Sequence, residues 1–232
     1  MKSLRYKNIQ REIIFDRKTI YYLDIENIRF YREFILGIRN QIENEDEYAT
    51  LYDDEGQLPF GKHVFFVNDP LLMELDEKKL NASIQKDLTT HLCHQSKEEY
   101  EILLSQISEY LDKISYDYAV PLTFDDELPI SSFLKAFSLR YDKEKGDVLE
   151  NLLNQTRTIS SVFGFSVFIY MNLCDYLTRK ELEAFDAEMR SLELDYLILS
   201  NHLPYYRLEH EFIIRVDDDL CELHIDSENA KD

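Results

Sequence analysis

Thr19-Ile20-Tyr21-Tyr22-Leu23-Asp24 is a short run rich in β-branched and aromatic residues, the pattern of a strand. From Glu26 to Ile42 the apolar positions change rhythm. Ile28, Tyr31, Phe34 or Ile35, Ile38 and Ile42 return at helical spacing, so a helix should follow that strand directly. Glu12-Ile13-Ile14-Phe15 reads as a short edge strand. Acidic, glycine-bearing loops at Glu43–Glu47 and Asp53–Gly61 lead to His63-Val64-Phe65-Phe66-Val67, which ends in Asn68, Asp69 and Pro70. Between about residues 71 and 141 the character changes to a set of helical stripes. Leu80, Ile84, Leu88 and Leu92 fall at steps of four. Tyr100, Leu103 or Leu104, Ile107, Leu111 and Ile114 make a second stripe, and Ser131–Tyr141 a shorter third helix after Pro129, a residue that suits a first turn.

Helical spacing resumes over Asp147–Ser161, and then comes the densest local signal in the chain. Val167-Phe168-Ile169-Tyr170-Met171 is an apolar strand that stops at Asn172 and Asp175. Thr178 and Glu181 follow at the T-x-x-E spacing of a capping box, in which each side chain satisfies an orphan backbone donor. Asp195-Tyr196-Leu197-Ile198-Leu199-Ser200-Asn201 is the next strand, so this stretch predicts a parallel βαβ unit with a right-handed crossover. Phe212–Val216 reads as the last strand and Asp226–Asp232 as a polar tail. The pattern therefore predicts an α/β domain built from residues 1–70 and 142–232, interrupted by a helical arm at 71–141.

Composition adds limits rather than identity. With 44% hydrophobic and 13% aromatic residues the chain should be globular. No apolar run approaches the roughly 20 residues needed to span a bilayer. There is no apolar leader behind Met1-Lys2-Ser3-Leu4-Arg5, and Cys93, Cys174 and Cys221 form no C-x-x-C pair. A cytoplasmic protein with free thiols is the expectation. The net charge of −20 is unevenly placed. Residues 1–42 carry nine Lys/Arg against five acids, which makes that segment +4 and the remainder −24. So acidic a chain repels DNA on average, yet beyond a Debye length of about 8 Å the rest of the surface is screened, and local placement decides.

Candidate chemistry is sparse. A phosphate-binding loop needs clustered glycines so that backbone N–H groups can cradle a phosphate. Here the first strand runs into Asp24-Ile25-Glu26-Asn27, and the chain holds only five glycines. The sequence argues strongly against nucleotide hydrolysis of that type. Asp24, Glu26, Asp69 and Asp175 sit at strand exits, where open α/β sheets bind ligands. Convergent carboxylates there could hold two divalent ions for phosphodiester cleavage, so a metal-dependent nuclease is the alternative reading. Asp and Asn are equally good turn residues. His91, Cys93 and His94 lack a second ligand pair for zinc and fit a helix surface better. The acidic knot Thr123-Phe124-Asp125-Asp126-Glu127, with Asp117 upstream, lies between Pro121 and Pro129. It supplies the oxygen ligands on bent backbone that hard cations such as Ca²⁺ take, without EF-hand spacing. Lys135, Arg140, Lys143 and Lys145 form a small basic cluster after it.

Three of these segments together resemble the Csn-two family, the accessory protein of type II-A CRISPR systems that acts in acquiring new spacers. They are Phe168–Asn172 with Tyr176-Leu177-Thr178-Arg179-Lys180-Glu181-Leu182, Leu122–Glu127 with Phe133-Leu134-Lys135-Ala136-Phe137, and Ile20–Asn27; the similarity runs from Thr19 to about Leu223. The resemblance implies a non-catalytic α/β protein: a degenerate phosphate-loop-NTPase-like sheet domain with an inserted α-helical leg domain. It also implies a calcium-stabilised homotetrameric ring that binds the ends of double-stranded DNA, and partners in the CRISPR integrase complex and the type II effector nuclease, with no membrane and no nucleotide. On this resemblance Asp125, Asp126 and Glu127, with Asp117, are the metal ligands. Lys135 and Arg140 fall on basic positions of the family, whereas Lys143 and Lys145 are assigned to DNA from local charge alone. Thr123 stands where an acid is common, and the hinge has about one extra residue. An acidic scaffold that binds proteins and never DNA is the remaining rival.

Overall fold

The computed structural model describes residues 1–44, 47–73, 76–142 and 146–226. They fall into two compact units, Met1–Glu74 with Glu144–Asp232, and Leu75–Lys143. The sequence pattern set the corresponding limits at 70/71 and 141/142.

The first unit is mixed α/β. Its strands are β1 (Lys2–Tyr6), β2 (Ile13–Phe15), β3 (Ile20–Ile25), β4 (Ala49–Asp53), β5 (Gly56–Leu58) and β6 (Val64–Val67), then β7 (Val167–Met171), β8 (Asp195–Ser200), β9 (Glu211–Val216) and β10 (Glu222–Asp226). Its helices are α1 (Ile28–Asn44), the single turn α2 (Phe60–His63), α6 (Val148–Phe163), the single turn α7 (Leu173–Tyr176) and α8 (Arg179–Ser191). A six-stranded sheet runs β10-β9-β3-β8-β7-β6, parallel except for the antiparallel edge strand β10. A separate antiparallel sheet runs β2-β1-β4-β5. Every residue of β3 and β8 is buried, as expected for parallel strands covered on both faces.

One face of the large sheet, through Tyr21, Leu23, Ile169, Leu197 and Ile214, shares a core with Phe30, Phe34 and Ile38 of α1 and with Leu4, Ile13 and Leu51 of the small sheet. The opposite face carries Tyr22, Tyr170 and Ile198, all essentially inaccessible. There Phe185 of α8 meets Tyr170 edge-on at 5.3 Å, and Thr156 of α6 lies 2.8 Å from the Tyr170 hydroxyl.

The βαβ unit forms as its sequence predicts. Asn172 takes φ 51°, a left-handed conformation that Asn tolerates better than most residues, and so turns the chain off β7. Thr178 caps α8: its backbone N–H donates to the Glu181 carboxylate at 2.7 Å, and the Glu181 N–H donates to the Thr178 hydroxyl. The same device opens α6 with Asp147 and Glu150, and Gly164 at φ 78° closes that helix. Thr178→Ala should cost about 1 kcal/mol, read as a lower denaturation midpoint with an unchanged slope.

Four strands escape the pattern: β5 lies inside the expected loop Asp53–Gly61, and β1, β4 and β10 fall on stretches to which the pattern assigns no strand, so the expected last strand is followed by one more. The tail beyond Asp226 lies outside the described residues.

The second unit holds α3 (Glu77–Gln95), α4 (Lys97–Tyr116) and α5 (Ile130–Ala136). Asp76 caps α3 by accepting from the N–H groups of Lys78 and Lys79. α5 is shorter than the Ser131–Tyr141 expected, because the chain leaves helical geometry at Phe137 and Ser138 takes φ 51°. Tyr100 anchors the segment before α5: its hydroxyl donates to the Leu128 carbonyl at 2.7 Å and its ring meets Phe133. Among the described residues no helix is long and apolar enough to cross a membrane.

Candidate functional site

In open α/β sheets ligands bind beyond the carboxyl ends of the strands, at the point where strand order reverses. β3 is that strand here, with β8 on one side and β9 on the other. Its exit is filled by charge. Asp24 is fully buried and lies in register with Arg215 of β9. The Arg215 guanidinium donates to Glu26 at 2.6 Å and stands 3.6 Å from the Asp24 carboxylate. Neither Asp24 oxygen accepts a hydrogen bond. Burial pushes the Asp24 carboxyl above the ordinary range, and Arg215 pulls it partly back. Asn27 completes the plug. Its side-chain oxygen accepts from the Phe30 N–H at 3.0 Å, taking one of the donors a phosphate would use at the start of α1, and its amide donates to the Asp218 carbonyl.

The other strand-exit acids have partners of their own. Asp175 lies 2.9 Å from His202 Nε2, and His202 Nδ1 lies 3.1 Å from the Ser200 hydroxyl. Acid, imidazole and hydroxyl in that order have the connectivity of a hydrolytic triad. Ser200, however, has no accessible surface, so its oxygen cannot reach a substrate. The set instead ties the loop after β8 to the one after β7, and the Tyr22 hydroxyl adds a bond to the His202 carbonyl. Asp69 turns the chain after β6 by accepting from Leu71 and Leu72. Asp24, Asp69 and Asp175 therefore serve three separate local contacts. Among the described residues no three His, Cys, Asp or Glu side chains gather as a metal-holding group.

In the helical unit, Asp117 is the C-cap residue of α4. Asp125, Asp126 and Glu127 are exposed on the irregular segment ahead of α5. Asp126 and Glu127 border a groove with Lys97, Tyr100, Glu101 and Leu104. Lys135 in the last turn of α5 and Arg140 beyond it are exposed, with no ion-pair partner among the described residues. Lys143 and Lys145 lie outside the described residues. His91, Cys93 and His94 are exposed on α3. α4 buries no residue fully, and Leu103, Ile107, Tyr110 and Ile114 line one exposed face of it.

Sequence reasoning missed Arg215, Ser200 and His202. Arg215 left a signal, since a lone arginine inside Phe-Ile-Ile-Arg-Val needs a buried acid to meet it.

A family model described as CRISPR-associated protein (Cas_Csn2) matches residues 41–219. No curated protein matches the sequence. Among solved structures, a putative ABC transporter ATP-binding protein from Pyrococcus furiosus aligns over 90% of this chain and 96% of its own, with 9% identity and a TM-score of 0.39. A bacterial Atm1-family ABC exporter with ATP bound aligns over 93% of this chain and 37% of its own, with 9% identity and a TM-score of 0.43.

Proposed function

The chain belongs to the Cas_Csn2 family of CRISPR-associated proteins, and from that membership we propose that it is a non-catalytic protein that holds the ends of double-stranded DNA during spacer acquisition. The family match over residues 41–219 carries the reading. The plugged exit of β3 supports the non-catalytic part. A strand, a short turn and a helix are the parts of a phosphate loop, but the turn here offers Glu26 and the Asn27 cap where open N–H groups would be needed. A phosphate at this point would meet two carboxylates and an arginine already engaged. The domain is on this reading a degenerate relative of the phosphate-loop fold.

Binding acts through the backbone. Lys135 and Arg140, with Lys143 and Lys145, contact phosphates without reading bases, so retention is independent of sequence and falls with salt. Self-association into a homotetrameric ring concentrates these few cations from four chains around one duplex while the outer surface stays acidic. The unpartnered apolar face of α4 supports self-association, since a row of exposed Leu, Ile and Tyr side chains marks an interaction surface. Asp117, Asp125, Asp126 and Glu127 offer carboxylate oxygens of the hard type calcium takes, but they do not gather as one metal-holding group in this structure, so calcium would have to draw them together as it binds. Bound calcium would cancel local negative charge next to the DNA path. The ring would work in the cytoplasm, beside the CRISPR integrase complex and the type II effector nuclease.

Solution mass with and without calcium, followed by a gel shift on linear and closed-circular duplex, tests this. A fourfold mass in calcium with retention of linear DNA alone is the expected result. A calcium-indifferent monomer that ignores both DNAs overturns it. Cut products in Mg²⁺ or Mn²⁺ would replace it with the nuclease.

A further inference from the structure

The amino-terminal 42 residues carry a net charge of +4 in an otherwise acidic chain, and the fold shows where that charge goes. Four of its nine cations are neutralised in place: Lys2 by Asp195, Arg5 by Glu12, Arg17 by Glu193 and Arg29 by Glu33. Arg11 stands over the ring of Phe212. Arg32 and Arg39 differ. Both are exposed on the outer face of α1, and neither has an ion-pair partner among the described residues. Ile28, Arg32, Leu36 and Arg39 recur at helical spacing along that face, opposite the buried Phe30, Phe34 and Ile38. Arg32 and Arg39 are seven residues apart, about 10.5 Å of rise along the helix axis. Lys7 is exposed at the end of β1, and Asn8 beside it lines a cavity with Arg29 and Glu33, so the β1 exit borders the same face. Glu43 enters only in the last turn of α1, and Glu33 is held by Arg29.

We propose that the outer face of α1 is a second DNA-contacting surface, where Arg32 and Arg39 grip backbone phosphates of the duplex. The inference rests on the DNA-end reading above and adds a site on the α/β unit to the cations of the helical unit. Guanidinium groups suit the task, because their planar fork meets phosphate oxygens in pairs and never loses its charge. Phosphate is a better match than protein. A protein-binding face centres on aromatic anchors, and all three aromatics of α1 (Phe30, Tyr31, Phe34) point inward. Ile28 and Leu36 are single aliphatics separated by a charge, an ordinary surface pattern.

Retention of linear duplex is measured across a salt series for the unaltered protein, Arg32→Ala/Arg39→Ala, Arg32→Lys/Arg39→Lys and the control Lys180→Ala on α8. Each lost phosphate contact removes about 0.9 from the slope of log affinity against log salt, so the alanine pair should flatten it by about 1.8 per chain engaged. The lysine pair should keep the slope, and Lys180→Ala should match the unaltered protein. Thermal melts of all four should coincide, since the altered side chains are exposed. An unchanged slope in the alanine pair, with the unaltered protein binding normally, overturns the α1 site and leaves the DNA-end reading standing. No retention by the unaltered protein overturns both. Loss of self-association without loss of DNA makes the face a protein contact and overturns the proposal.

Discussion

Arg215→Leu should unfold this protein at markedly lower denaturant than the unaltered chain, by about 3 kcal/mol, while Asp24→Asn/Arg215→Leu regains most of the loss. The reason is asymmetry. Removing one member of a buried pair leaves the other as an uncompensated charge, whereas removing both leaves only packing to repair. Asp24 has a side chain 1% exposed and no hydrogen bond to either oxygen, so the arginine is its main compensation. The pH dependence fixes the sign. Burial holds the Asp24 carboxyl above its unfolded value, and Arg215 is the main influence lowering it. A group raised in the folded state contributes stability below its unfolded pKa and loses it as pH rises through the folded one. Without Arg215 the folded value climbs further. The single variant should therefore be least stable at neutral pH and recover on acidification towards about pH 4, the ordinary range of an aspartate. The double variant should lack that slope. Denaturation curves at several pH values read both outcomes. A single variant as stable as the parent at pH 7 would mean that Asp24 is neutral there already.

That prediction depends on a pairing only partly legible in the sequence. Strands β3, β7 and β8 announced themselves because both of their faces are buried, and continuous apolar runs are what such strands require. The capping box at Thr178 was legible for a different reason: it is a local bargain between two side chains three residues apart, with no tertiary partner. β1, β4 and β10 were not, for they are antiparallel strands of mixed polarity. Lys-Ser-Leu-Arg-Tyr and Glu-Leu-His-Ile-Asp bury at most half their positions, and their strand character comes from the neighbour that each pairs with. The same division runs through the site. The missing glycine loop was visible from residue types alone, and the structure adds what replaces it. That Asp24 lies opposite Arg215, 191 positions later in the chain, is set by the parallel register of β3 with β9, which no local pattern carries. Arg32 and Arg39 fall between these cases. Their excess charge was plain in the count, and only the fold shows that they share the exposed side of one helix.

Phe185→Ala should be the most damaging single truncation in α8, with a cost of about 3–5 kcal/mol. Phe185 is fully buried, and its ring stands edge-on between Tyr170 of β7 at 5.3 Å and Tyr196 of β8 at 5.4 Å. Both tyrosines are fixed from behind, Tyr170 by Thr156 and Tyr196 by its bond to Asp186 at 2.9 Å. They cannot swing into the space that the phenyl group leaves, so the cavity stays open and the full term for lost contacts applies. Phe185→Leu keeps most of the volume and should cost clearly less. α8 is the crossover of the βαβ unit, and the strands it covers position Asp175, Ser200 and His202. Loosening it should therefore expose backbone amides of β7 and β8 to hydrogen exchange before those of the small antiparallel sheet. Uniform loss of protection in both sheets would show instead that the unit opens as one piece and that Phe185 stabilises all of it equally.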